Sequence, residues 1–257
     1  MIRAFKSLWI VALIGIVFSC NEDDPLPIPT IDFTNPLAEV GVPVMFDNLT
    51  TNADRYEWRF SDGQSSDQIS PSITFDTPGN VEVVLRAFTK DGQVDSLVRN
   101  ITIRQRVLVG YAVNIFPTKN ADAEWDPAEA GDEVYPDILI QLIVDKDSPS
   151  EAEFENALFD GIFNNTDVSN FSRGEGDTGF QEDIVLTNED WGFALFDFDD
   201  GNPDITTDDD FEFMAGVVFN PVEGLTFKNS TGDAGVVSVF FTDPTFTLDF
   251  DLYFELR

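Results

Sequence analysis

The chain has 257 residues, with 48 acidic against 14 basic side chains, no histidine and a single cysteine, for a net charge of −34. That balance excludes nucleic acid as a partner, because phosphate binding needs clustered Lys and Arg. The missing histidines remove Ser-His-Asp and Cys-His catalysis and argue against zinc, and one cysteine leaves the mature chain without an internal disulfide.

In chain order, Arg3 and Lys6 come first, then an apolar stretch over residues 8–18, then Val17-Phe18-Ser19-Cys20. The stretch is too short for a comfortable membrane span and reads as a signal peptide. With Cys20 at the cleavage position, residues 1–20 resemble a bacterial lipoprotein signal, which implies lipidation of Cys20 and an outer-membrane anchor. An ordinary secretory signal with an incidental cysteine is the alternative. Asn21-Glu22-Asp23-Asp24 resembles the export tag of Bacteroidetes-type lipoproteins and implies a surface-exposed location. Residues 21–30 complete an acidic, proline-rich linker whose Pro25-Leu26-Pro27-Ile28-Pro29 run extends in polyproline fashion.

From residue 31 the pattern becomes short apolar alternations over residues 42–46, 55–60, 72–75, 81–88 and 96–103. Ser61-Asp62-Gly63, Thr77-Pro78-Gly79-Asn80 and Lys90-Asp91-Gly92 separate them as turns. Strands at this spacing predict a β-sandwich over residues 31–105. The run Tyr56-Glu57-Trp58-Arg59-Phe60-Ser61-Asp62-Gly63, with Pro71, Ile73, Phe75, Pro78-Gly79, Val81, Val83, Leu85 and Ala87 beyond it, resembles the polycystic kidney disease (PKD) domain. The resemblance implies an immunoglobulin-like spacer or interaction module, with Trp58 and Phe60 in its core and Asp62-Gly63 in a hairpin turn. It implies no catalysis. Ser61 stands where the family usually carries glycine.

Arg104-Gln105-Arg106 marks the next boundary, beyond which 34 acidic and 6 basic residues give residues 106–257 a charge of −28. Strand-like runs recur over residues 107–115, 138–144, 184–186, 191–196, 211–219, 235–241 and 246–256. One short helix is expected where Ser150-Glu151-Ala152-Glu153 has capping-box spacing and Phe154, Leu158 and Ile162 recur every four residues. The expected fold class is therefore all-β, two tandem β-sandwiches, the second with one helical insertion.

Seven aspartates fall within the fourteen residues from Asp197 to Asp210. Two carboxylates ~6 Å apart repel by about 0.7 kcal/mol in water and nearly 3 kcal/mol at the effective dielectric of a protein surface, so a compact loop of this kind favours a hard cation. A solvated loop that keeps a sheet edge unpaired is the plain alternative. Two segments, Glu124-Trp125-Asp126-Pro127 with Tyr135-Pro136-Asp137, and Trp191 through Phe198-Asp199 with the acidic loop and Phe211-Glu212-Phe213-Met214, together resemble a C2 domain over residues 106–257. The resemblance implies Ca²⁺ held by Asp126, Asp137, Asp197, Asp199 and Asp210, with Asp208 or Asp209 as alternatives to the last. An EF-hand fits less well: glycine comes one position early and no glutamate closes the loop at Asp208.

Glu151, Glu153 and Glu155 read as a solvated face rather than a glycosidase pair. Trp191 leads a strand and is expected in the core, whereas Trp125 is the more open candidate for ligand contact. Lys119 and Arg173 are too isolated for an anion site. The sequence thus points to a non-enzymatic lipoprotein at the cell surface, lipid-anchored in the outer membrane, with Ca²⁺ as cofactor and an extracellular glycan, protein or membrane as ligand. The alternatives are a structural subunit of an outer-membrane assembly with Ca²⁺ only rigidifying the fold and, further off, a polysaccharide-active enzyme.

Overall fold

The computed structural model describes residues 27–118, 125, 135–144, 157–163, 171–173, 183–198 and 211–257. The described elements are all β-strands and build two sandwiches. In the first, β1 (Ala38–Glu39), β3 (Arg55–Phe60), β4 (Ser65–Ser66), β6 (Gly79–Phe88) and β7 (Val94–Arg104) form a sheet in the order β1-β7-β6-β3-β4. A two-stranded sheet of β2 (Val44–Met45) and β5 (Ser72–Ile73) accompanies it.

Alternation explains what is buried here. Val81, Val83, Leu85 and Ala87 of β6 turn inward while their neighbours face out, as period two requires. Trp58 and Phe60 share the inward face of β3 and meet Phe33, Phe46 and Phe75 in edge-to-face and tilted contacts with ring centroids 5.1–6.5 Å apart. The Trp58 indole N–H donates to the Gln68 carbonyl at 3.0 Å, so its one polar atom is satisfied. Gly63 has φ +99°, the left-handed turn conformation expected of it. Ser61, which departs from the family's glycine, has a use: its Oγ accepts the Glu82 N–H at 3.0 Å and ties the hairpin to β6.

The second sandwich has one sheet of β9 (Ile138–Val144), β10 (Ala157–Phe163), β13 (Trp191–Phe198) and β14 (Phe211–Phe219), in the order β10-β9-β13-β14. The other contains β8 (Arg106–Ile115), β11 (Phe171–Arg173), β15 (Thr226–Lys228), β16 (Ala234–Thr242) and β17 (Thr247–Leu256), ordered β11-β8-β17-β16-β15, with β12 (Ile184–Val185) also paired to β8. Phe193 stacks on Phe250 across the core at 3.9 Å and 13°, and Phe219 meets Phe250 edge-on at 5.4 Å. Burying each such ring contributes about 1.5–3 kcal/mol.

The helix expected after Ser150 is corrected at its C-terminal half. Leu158 and Ile162 lie in β10, an antiparallel neighbour of β9 with a bulge between Asp160 and Ile162. Spacing by four is shared by one helix face and one strand face, and the free edge of β9 decides in favour of pairing. Ser150, Glu151, Glu153, Phe154 and Glu155 lie outside the described residues.

Only Gln105 separates β7 from β8, and it is pinned, because its N–H and C=O pair with the C=O and N–H of Arg257 at 2.9 and 3.0 Å. The two sandwiches are thus joined by bonded backbone rather than by a free linker.

Candidate functional site

The five carboxylates expected to hold a cation are only partly described. Asp137 and Asp197 are; Asp126, Asp199 and Asp210, with Asp208 and Asp209, lie outside the described residues, as does Cys20. Asp197, next to last in β13, faces inward, because it pairs with Ile138 just as Leu195 pairs with Ile140. Its side chain is fully buried, and Oδ1 accepts the Asp137 N–H at 2.8 Å. Two of the five positions therefore meet at the same end of the sandwich, which their 60-residue separation does not require. A bulge between Leu195 and Phe196 on the β14 side shifts the register of the next strand, so that Asp197 pairs with Glu212.

The donor chemistry suits Ca²⁺: carboxylate oxygens, with no nitrogen or sulfur ligand among them. The count is short of a cage, since Ca²⁺ takes six to eight oxygens, and among the described residues no group of three Asp, Glu, His or Cys converges.

The tryptophans divide differently from expectation. Trp191 is in the core, as its place at the head of a strand suggests, and its indole N–H donates to Thr187 Oγ1 at 3.3 Å. Trp125 is corrected: it is 7% exposed and donates to the Pro117 carbonyl at 3.2 Å, so it packs in the core rather than offering a ring to a ligand. A bulky indole beside one carbonyl acceptor gains more from burial than from solvent.

One site escaped the sequence. Glu39 leaves the first sandwich and accepts from Arg106 Nε at 2.7 Å and Lys228 Nζ at 2.5 Å, both from the second. Arg106 also donates to the Pro221 carbonyl and to Thr226 Oγ1, and its guanidinium lies 4.1 Å from the centroid of the Phe254 ring. Glu39 and Arg106 side chains are each 2% exposed. Beside them Gly41, at φ +75°, lets the Asn188 side chain come so close that a Cβ on Gly41 would sit 3.0 Å from Asn188 Cβ. Ala38 inward and Glu39 outward on one short strand was the available signal, but two residues show no period.

The molecule these features define is an all-β chain of tandem sandwiches with a bonded junction. A PKD domain family model matches residues 26–104, and that segment is a PKD domain. No curated protein matches the chain significantly. Among solved structures, the PKD1 domain of Vibrio anguillarum Epp is 22% identical, covering 30% of this chain and 94% of that one at TM-score 0.28. The PKD1 domain of the Vibrio cholerae metalloprotease PrtV is 23% identical, with 30% and 98% coverage at TM-score 0.27. A carbohydrate-binding module of the β-sandwich superfamily is 12% identical, with 91% and 93% coverage at TM-score 0.29. At these TM-scores none of the three similarities bears on function.

Proposed function

We propose that the chain is a non-enzymatic binding or adhesion lipoprotein of the bacterial surface. Cys20 carries its lipid, residues 21–30 lead from the anchor, the PKD domain is a spacer, and the second sandwich over residues 106–257 makes Ca²⁺-dependent contact with an extracellular ligand. The observation that supports it most is the meeting of Asp137 and Asp197 at one end of that sandwich. A buried carboxylate there fixes the strand end from which Asp199 and the acidic loop continue. Asp137, Asp197 and Asp199 would hold the ion, joined by Asp126 and Asp210. The ion would supply rigidity to the loops and an electrophilic centre for ligand oxygens.

Pull-down from intact cells separates this reading from its alternative, a structural subunit of an outer-membrane assembly. Capture of ligand that is released by a calcium chelator supports contact through the ion. A stoichiometric protein partner retained in chelator supports the assembly subunit. Replacing Cys20 by serine should release the chain from the outer membrane, and retention there would overturn the anchor. Turnover on a polysaccharide panel, abolished by one carboxylate substitution, would overturn the non-enzymatic reading.

A further inference from the structure

The outer face of the second sheet of the C-terminal sandwich carries what the core does not need. Along β17 the residues Leu248, Phe250, Leu252, Phe254 and Leu256 point inward, so Asp249, Asp251 and Tyr253 point out. Register places Val236, Ser238 and Phe240 of β16 beside Tyr253, Asp251 and Asp249, and Phe227 of β15 beside Val236. Phe240 is 64% exposed, Phe227 56% and Tyr253 40%, and Leu225 is exposed beside them. Three rings and Leu225 thus gather on one sheet face rather than being scattered singly over the surface.

Between the rings lies a row of hydrogen-bonding groups. Asn114 Nδ2 donates to Asp251 Oδ2 at 3.2 Å and to Asp249 Oδ1 at 3.4 Å, and Ser238 Oγ donates to Asp251. A groove of 470 Å³ runs along the edge of this face past Leu225, Ser238 and Phe240 to Asn220 and Glu223. Phe227 and Tyr253 flank one strand and so stand roughly 10 Å apart, and Phe240 lies about 13 Å further along β16. These spans match sugar units of an extended chain rather than one small molecule.

We infer that this face binds a neutral polysaccharide, with sugar faces stacked on Phe240 and Tyr253 and hydroxyls bonded to the Asp251, Asn114 and Ser238 row. The inference rests on the reading of the chain as a binding module and adds to the contact at the ion a second face, on the other sheet, with its own ligand class. Charge selects the occupant. Among the described residues the ionised groups beside the rings and the groove, Asp249, Asp251 and Glu223, are acidic; Glu255 further along the same face of β17 is acidic too and pairs with Arg257 at 3.4 Å, and the net charge of −34 repels polyanions and anionic lipid. A second copy stacked about a two-fold axis would set Asp249 and Asp251 against their own equivalents. A polyol brings hydroxyl donors for carboxylate acceptors and apolar ring faces for the aromatic residues. The cleft between the two sandwiches, 430 Å³ and lined by Gly41, Asp76, Gln105 and Asn188 among others, has no aromatic side chain among the described residues of its lining and is the weaker candidate.

The test is native gel electrophoresis of the whole chain in mild detergent, through gels containing hydroxyethyl cellulose, galactomannan or soluble starch, with carboxymethyl cellulose as the charged counterpart. Retardation is expected in at least one neutral polymer and not in the charged one. Phe240→Ala and Tyr253→Ala should each weaken it by about tenfold, some 1.4 kcal/mol, at an unchanged thermal midpoint, whereas Tyr253→Phe should keep most of it. No retardation in any neutral polymer overturns the inference, and if chelator-released capture from cells persists, the binding-module reading stands without it. Retardation that survives the double alanine variant overturns the face, and a dimer that the same variant abolishes would assign it to a second copy.

Discussion

Replacing Glu39 by alanine tests whether the junction between the sandwiches is a structural lock. The substitution leaves the Arg106 guanidinium, 2% exposed, with the Pro221 carbonyl, Thr226 Oγ1 and the Phe254 ring but no counter-charge. Removing one partner of a buried ion pair costs about 3–5 kcal/mol. The Lys228 limb adds little, because its side chain is a third exposed and such pairs are worth at most about 1 kcal/mol. With a urea dependence of about 2–3 kcal/mol per molar, the midpoint should fall by roughly 1–2.5 M. Lost coupling should also split the transition, the PKD domain and the second sandwich unfolding separately. Urea unfolding followed by tryptophan fluorescence reads both effects, since Trp58 reports the first sandwich and Trp125 and Trp191 the second. Glu39→Leu with Arg106→Met should recover most of the loss, because the buried charge goes with its partner. A loss below about 1 kcal/mol for Glu39→Ala, with one unchanged transition, would refute the lock.

Gly41→Ala should cost about 1–2 kcal/mol from its positive φ alone, more if Asn188 cannot give way, read as a lowered urea midpoint. Phe193→Ala opens the stacked pair with Phe250 and should cost about 3–5 kcal/mol by the same measurement. Acidification gives a further test. Asp91 is held below the usual carboxylate range by the Thr89 hydroxyl, Asp233 by Thr231, Asp243 by Thr245, and Glu57 by its bond with Arg55. Each carboxylate is more acidic folded than unfolded, so its stabilisation is complete above the ordinary carboxylate value and disappears as pH falls through the lower folded one. Thermal midpoints measured against pH should therefore decline below the ordinary carboxylate range, less so in a variant with Asp91→Asn and Asp243→Asn.

How much of this was legible in the sequence depended on the kind of contact. Ile138–Val144 and Phe211–Phe219 were readable to the residue, since apolar runs bounded by polar ones define strand ends. Trp58 and Phe60 were readable as core because period two puts both on one face. Phe171–Arg173 and Thr226–Lys228 were not, being too short to show a period and strands only because β8 and β16 offer partners. The Glu39 and Arg106 pair spans 67 residues and two sandwiches, so nothing local announces it. The ring face was half legible: alternation in Thr247–Leu256 turns Tyr253 outward, but Gly235 through Phe241 is apolar on both faces, and only pairing decides that Phe240 faces water.

The most direct test of the proposed function is calorimetric titration of the whole chain with Ca²⁺, with Asp199→Asn beside it. Saturable heat that the substitution abolishes is expected, with a stability gain of about 2.7 kcal/mol at 100 times the dissociation constant. Absence of saturable heat in the unsubstituted chain would contradict the metal, and with it the Ca²⁺-dependent contact.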